Sequence, residues 1–114
     1  MHIEIRGHVK ATEAIRRHIE RRVQTAVGRL SHRVRAVTIR LDDINGPERG
    51  GSDKACQIAI TLASRRRRAP VVVEEVHADL YLAVSQAAER MSHAVRREVG
   101  RLRHPRVRSS ATAS

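Results

Sequence analysis

Aromatic side chains are nearly absent from this chain: its 114 residues include no Trp, no Phe and a single tyrosine, Tyr81. Such a composition argues against a module that reads single strands by stacking bases on aromatic platforms. Cysteine is equally scarce, and Cys56 alone cannot form an internal disulfide. There is no 18-residue apolar run and no apolar N-terminal signal stretch, so the expectation is a soluble, cytoplasmic protein. Acidic residues are in deficit, with 12 Asp+Glu against 23 Lys+Arg and a formal net charge of +11. A chain so charged repels itself at low salt. A polyanion would relieve that repulsion and release condensed counterions, which makes nucleic acid the first candidate partner and an anionic membrane the second. Nearly all the cations are arginine, the side chain suited to bidentate phosphate contacts, although arginine enrichment also follows from a genome rich in G and C.

The hydrophobic content of 40% over one domain's length supports a real core. The most ordered pattern runs from Asp79 to Arg103. At about 100° per residue, Leu80, Val84, Ala87, Ala88, Met91, Val95, Val99 and Leu102 share one side, as in a helix packed on a core. Gln86, Arg90, His93, Arg97 and Arg101 form a ridge on the other side, and Asp79 is placed to cap the helix. An earlier helix starts at the N-cap Thr12 and carries the stripe Ile15, Ile19, Val23, Ala26, Val27 and Leu30. Arg17, Arg21 and Gln24 lie opposite that stripe, with Arg16, Arg22 and Arg29 on its flanks. Arginines kept only for solubility would give the same pattern on either helix taken alone.

Elsewhere the period is two. His2 to His8, Val34 to Ile44, the segment around Cys56, Ile58, Ile60 and Leu62, and the valine cluster Val71, Val72, Val73 and Val76 each read as a strand. NGPERGGSD, residues 45–53, must turn. The expected fold is α+β, in the order β-α-β-β-β-α: a four-stranded sheet with two helices on one face, like a double-stranded-RNA-binding domain. Both apolar stripes would then bury against Ile3, Ile5, Val37, Ile39, Leu41, Ile58 and Ile60, setting Arg17 and Arg21 beside Arg90, Arg97 and Arg101 as one basic plateau. Residues 1–104 are expected to form a single domain, and 105–114 a disordered basic tail.

No catalytic constellation stands out. The histidines are scattered, no Cys or His pair has metal-ligand spacing, and the adjacent pairs Asp42/Asp43 and Glu74/Glu75 point to opposite faces of their strands. Ser85 and Ser92 lie mid-helix without a Gly-rich elbow. The expectation is a protein that is not an enzyme and has no cofactor, metal or small-molecule substrate.

Three segments, ATEAIRRHIERRV, NGPERGGSDKAC and ADLYLAVSQAAERMSHAVRREVGRLRH, also resemble the short ribosome hibernation factors, the family of hibernation promoting factor and ribosome-associated inhibitor, known too as sigma-54 modulation proteins. The cluster Asp79, Leu80, Tyr81, Ala83 and Val84 is similar to that family's Asp-x-Tyr-x-Ala-Ile helix opening. The resemblance covers about residues 1 to 104. It implies binding to the small ribosomal subunit and its rRNA at the channel for messenger and transfer RNA, a block of initiation, and storage of ribosomes under stress. It implies no membrane partner. By position it assigns rRNA contacts to Arg17, Arg21, Arg22, Arg90, Arg97 and Arg101. The run Arg65, Arg66, Arg67 and Arg68 has no role in the resemblance and, with Arg103, is read as an auxiliary phosphate contact, a solvated hairpin turn being the alternative. The second, dimerisation domain of long-form members is not expected, and the oligomeric state is left open.

Two other functions stay open at this level. A generic double-stranded RNA or DNA binder could use the same plateau. A homo-oligomeric interaction domain could use the opposite sheet face, through Ala36, Thr38, Ala55, Gln57, Ala59 and Thr61. A neutral protein interface should survive about 0.5 M salt, whereas several phosphate contacts should not.

Overall fold

The computed structural model describes residues 2–44, 53–66 and 69–103. The chain order is β1 (Ile3–Arg6), α1 (Glu13–Val27), a 3-10 helix (Gly28–Arg33), β2 (Val34–Asp43), β3 (Lys54–Leu62), β4 (Val71–His77) and α2 (Leu80–Arg103). The strands form one sheet in the order β1-β2-β3-β4. β1 runs parallel to β2, so α1 is the crossover between them, and the other two pairings are antiparallel. This is the α+β arrangement expected from the sequence. The turn at residues 45–52, Arg67 and Arg68, and the tail from His104 lie outside the described residues.

The helix starts are chemically set. Ile15 N–H donates to Thr12 Oγ1 at 3.2 Å, and Tyr81 N–H donates to Asp79 Oδ1 at 2.9 Å, so each cap satisfies a donor that has no partner within its helix. The end of α1 differs from the periodicity. Gly28 adopts φ 51°, its N–H bonds the Gln24 carbonyl, and the α-helix stops there. Leu30, expected on the α-helical stripe, therefore lies in the 3-10 helix and only half-buries.

Both helices lie over one face of the sheet. Ile15, Ile19 and Val23 of α1 and Val84, Met91 and Val95 of α2 close over Val37, Ile39, Leu41, Cys56, Ile58 and Ile60. The core is entirely aliphatic apart from sulfur, and each buried Val, Ile, Leu or Met contributes about 1.5–3 kcal/mol. Ile3 and Ile5 pack against this cluster but remain half-exposed, because β1 is an edge strand. On the other sheet face, the residues expected to be exposed are only partly so, and Ala55 is 4% exposed. Its cross-strand neighbours Asp42 and Val76 are larger and shade it.

The link from β1 to α1 is strapped to β2. Val9 N–H donates to the Leu41 carbonyl at 3.1 Å. Asp42 Oδ1 accepts from the His8 backbone N–H at 3.0 Å and from His8 Nδ1 at 2.9 Å, while Oδ2 accepts from Arg40 Nε at 2.9 Å. Gly7 makes this approach possible. It has φ 110°, and a Cβ there would lie 2.0 Å from the Leu41 carbonyl oxygen.

Gly7→Ala should accordingly cost about 3 kcal/mol or more in urea unfolding. Gly100→Ala, in helical backbone with nothing within 4 Å of the new methyl, should stabilise by about 0.8–1 kcal/mol. Equal effects would contradict the strap. The backbone and side-chain bonds from His8, then that from Arg40, lower the Asp42 carboxyl from 3.8 to about 2. Its contribution to stability is complete above the unfolded value and lost as pH falls through about 2. Acid titration of the melting temperature should show that loss below about pH 4, and Asp42→Asn should remove it.

Candidate nucleic-acid interface

The two helices run parallel, since His18 meets Ser85 near their starts while Thr25 and Ala26 lie across from Ser92 and Arg96 further along. Small side chains, Ala26, Ala88 and Ser92, line the seam and let the helices approach closely. His18 Nε2 lies 3.1 Å from the Tyr81 carbonyl and 3.0 Å from Ser85 Oγ; a carbonyl only accepts, so Nε2 carries the proton. The Tyr81 and His18 rings are tilted at 59° with centroids 5.0 Å apart, which assigns the one tyrosine a packing role at the seam.

Around that seam the helices carry nine arginines against four glutamates. The expected site residues occupy three settings. Arg21 and Arg97 are exposed and have no carboxylate partner among the described residues. Arg17 pairs with Glu13 at 3.2 Å, Arg90 with Glu75 at 2.7 Å, and Arg101 with Glu98 at 3.4 Å. These are surface pairs worth about 0–1 kcal/mol, so a phosphate can replace the carboxylate at small cost. Arg22 is sunk into the seam, where Nη2 reaches the Ser85 carbonyl at 3.4 Å and Nε is buried without a partner.

The expected juxtaposition of Arg17 and Arg21 with Arg90, Arg97 and Arg101 is displaced. Arg90 Nη1 also donates to the Glu74 carbonyl at 2.8 Å, and Gln86 Oε1 accepts from His77 Nε2 at 2.6 Å. The ridge through Gln86, Arg90, Arg97 and Arg101 therefore follows the β4 flank of α2, away from α1. The cation of α2 that faces α1 is Arg96, which shares a groove of about 190 Å3 with Arg22, Thr25, Glu89 and Ser92. Reading the sequence by helical face missed Arg96, because the direction of α1 around α2 is a tertiary fact. Arg103 is exposed at the end of α2, and Arg65 and Arg66 are exposed after β3, away from the interhelical groove.

The opposite face is electrically different. On the open side of the sheet Arg6 pairs with Glu4 at 3.0 Å and Arg40 with Asp42 at 2.9 Å, so charges there largely cancel. On the helical side, by contrast, Arg21, Arg96 and Arg97 have no carboxylate partner among the described residues. No acid–base or nucleophile site emerges among the described residues, and none of their His, Cys, Asp and Glu side chains cluster in a group of three that could hold a metal. A cavity of about 560 Å3 is lined by Gln24, Val27, Gly28, Ser31 and His32, and His32 is the one titratable group among these described lining residues. Among the described residues no helix is long and apolar enough to cross a membrane.

Comparison with known proteins agrees with the fold. Residues 3–103 match the family model described as Sigma 54 modulation protein / S30EA ribosomal protein. The N-terminal domain of Thermus thermophilus Protein Y superposes with a TM-score of 0.67 at 25% identity, over 85% of this chain and 98% of that one. A ribosomal subunit interface protein from Coxiella burnetii superposes with a TM-score of 0.72 at 14% identity, over 88% of this chain and 99% of that one, which bears on the fold alone. A search among curated proteins finds no significant match.

The buried thiol gives a chemical readout of this architecture. Cys56 is fully buried in the sheet core, and desolvation, with a smaller push from Glu74, raises its thiol to about 12. In the native protein it should resist thiol-disulfide reagents at neutral pH and react at once in denaturing urea. Rapid labelling of the folded protein would contradict this placement.

Proposed function

The chain belongs to the Sigma 54 modulation protein / S30EA ribosomal protein family, and from that premise we propose that it is a hibernation-type translation inhibitor. It binds the small ribosomal subunit at the channel for messenger and transfer RNA, with the outer surface of α1 and α2 against rRNA. The family is one of ribosome-associated proteins rather than enzymes. The observation that carries the reading is the charge asymmetry: Arg21, Arg96 and Arg97 on the helical side have no carboxylate partner among the described residues, while Arg6 and Arg40 on the open sheet face are neutralised by neighbours.

The mechanism is occlusion. A rigid layer of guanidinium groups fits the backbone of irregular, largely paired RNA, where phosphates fix position and bases need not be read. Arg21, Arg96 and Arg97 act as the free phosphate ligands, Arg17, Arg90 and Arg101 exchange carboxylate for phosphate, and Arg22 sets the spacing of the helices. While bound, the protein fills the path that messenger and transfer RNA need, so initiation stops. Residues 1–104 act as one ribosome-binding domain in the cytoplasm, and the basic segment 105–114 supplements the contact.

Co-sedimentation with separated subunits tests this. The wild-type chain should pellet saturably with small subunits, resist competition by unrelated duplex RNA, and lower in vitro translation at the same dose. Charge reversal at Arg21, Arg96 and Arg97 should weaken that association by about a hundredfold at moderate salt with thermal unfolding unchanged. Equal pelleting with both subunits that duplex RNA abolishes would instead identify a generic duplex binder. Unchanged binding by the reversed variant would remove the helical face from the mechanism.

A further inference from the structure

The arginines after β3 are not part of the helical surface just described. The fold brings Arg65 and Arg66 to the C-terminal end of α2, where Arg33 from the 3-10 helix joins them. Together they rim a cavity of about 250 Å3 whose floor is Leu62, Val99 and Leu102. Leu62 and Val99 are each 2% exposed, so the floor is continuous with the core.

The three cations are uncompensated. Arg6, Arg40 and Arg90 each take a neighbouring carboxylate, but among the described residues Arg33, Arg65 and Arg66 have none. Nor does any of their side chains donate to the carbonyls that end α2, as arginines serving only the helix dipole would do. A solvated hairpin turn explains the charges but not the apolar floor beside them. Guanidinium groups gathered around one cavity repel each other, and an anion at its centre turns that repulsion into attraction.

We propose that this cavity seats one nucleotide of an RNA strand, its phosphates on Arg33, Arg65 and Arg66 and its base or ribose against Leu62, Val99 and Leu102. The volume falls just below the range of sites that enclose a whole free ligand. It suits one unit of a polymer already held on the helices, for which the second contact is intramolecular. With no aromatic ring and no side-chain amide among its described lining residues, the site positions RNA without selecting a base. The inference shares with the proposed function its RNA partner, and does not require that the RNA be ribosomal.

The test uses the full chain, a short single-stranded RNA of mixed sequence, and the dependence of log K on log salt. R33A/R65A/R66A should bind about tenfold more weakly and lower the slope by about 2, the value for three single-strand phosphate contacts. R65E/R66E, which leaves the half-buried Arg33 in place, should move in the same direction. R6A/R35A/R40A removes the same charge from β1 and β2 and should leave the slope unchanged. An unaltered slope in the cavity variants, or an equal fall in that control, overturns the site. Binding of ADP alone as tightly as the RNA overturns its assignment to a strand. The same variants on small subunits separate the two readings. A cavity effect on RNA without any wild-type subunit binding keeps this site and rejects the ribosomal target. Loss of subunit binding on reversal of Arg21, Arg96 and Arg97, with the cavity variants at wild-type slope, does the opposite.

Discussion

Everything on the helical side depends on two amphipathic helices burying their apolar stripes against one face of the same sheet. Because α1 is the crossover between parallel strands and α2 returns over β3 and β4, the helices have to lie side by side and point the same way. Ala26, Ala88 and Ser92 make the separation small, and the His18 bonds to Tyr81 and Ser85 set their register. Once that packing is fixed, the arginines have no choice of surface. The stripe that faces the sheet is aliphatic, so the cations face water.

The same constraint makes the molecule electrically two-sided. Carboxylates on the sheet side sit within reach of their cations, and the strap at Asp42 ties His8 and Arg40 into one exposed network. On the helices the cations outnumber the carboxylates, and pairs such as Arg17 with Glu13 are weak enough to yield to phosphate. Nothing in such a surface needs to move for it to bind. A core without large rings is consistent with that task, because interlocked aliphatic side chains suffice to hold a rigid two-layer domain. The basic cavity beyond β3 adds a second, differently built anion site at the far end of α2.

The sequence showed the element order, the caps at Thr12 and Asp79 and the alternation of the strands, because each is written in local spacing or in the chemistry of one residue. It also showed an excess of arginine and which helices carry it. Leu30 was misleading, since apolar periodicity continues past Gly28 while the backbone does not. The half-buried state of Ala36, Thr38 and Ala59 was not legible either, because shading depends on cross-strand neighbours that are far apart in sequence.

By itself, then, the sequence determined the helices, the strands and the sign of the charge, all consequences of period and composition. Only the tertiary structure decided which cations are free, which are paired and which are sunk in the seam. Arg90 and Arg96 are both exposed on α2, six residues apart along one helix, yet one bonds β4 and the other opens toward α1. A helical wheel gives the angle between two side chains but not the neighbour that each angle meets. That neighbour is set by the packing of the whole sheet, and so is the meeting of Arg33 with Arg65 and Arg66.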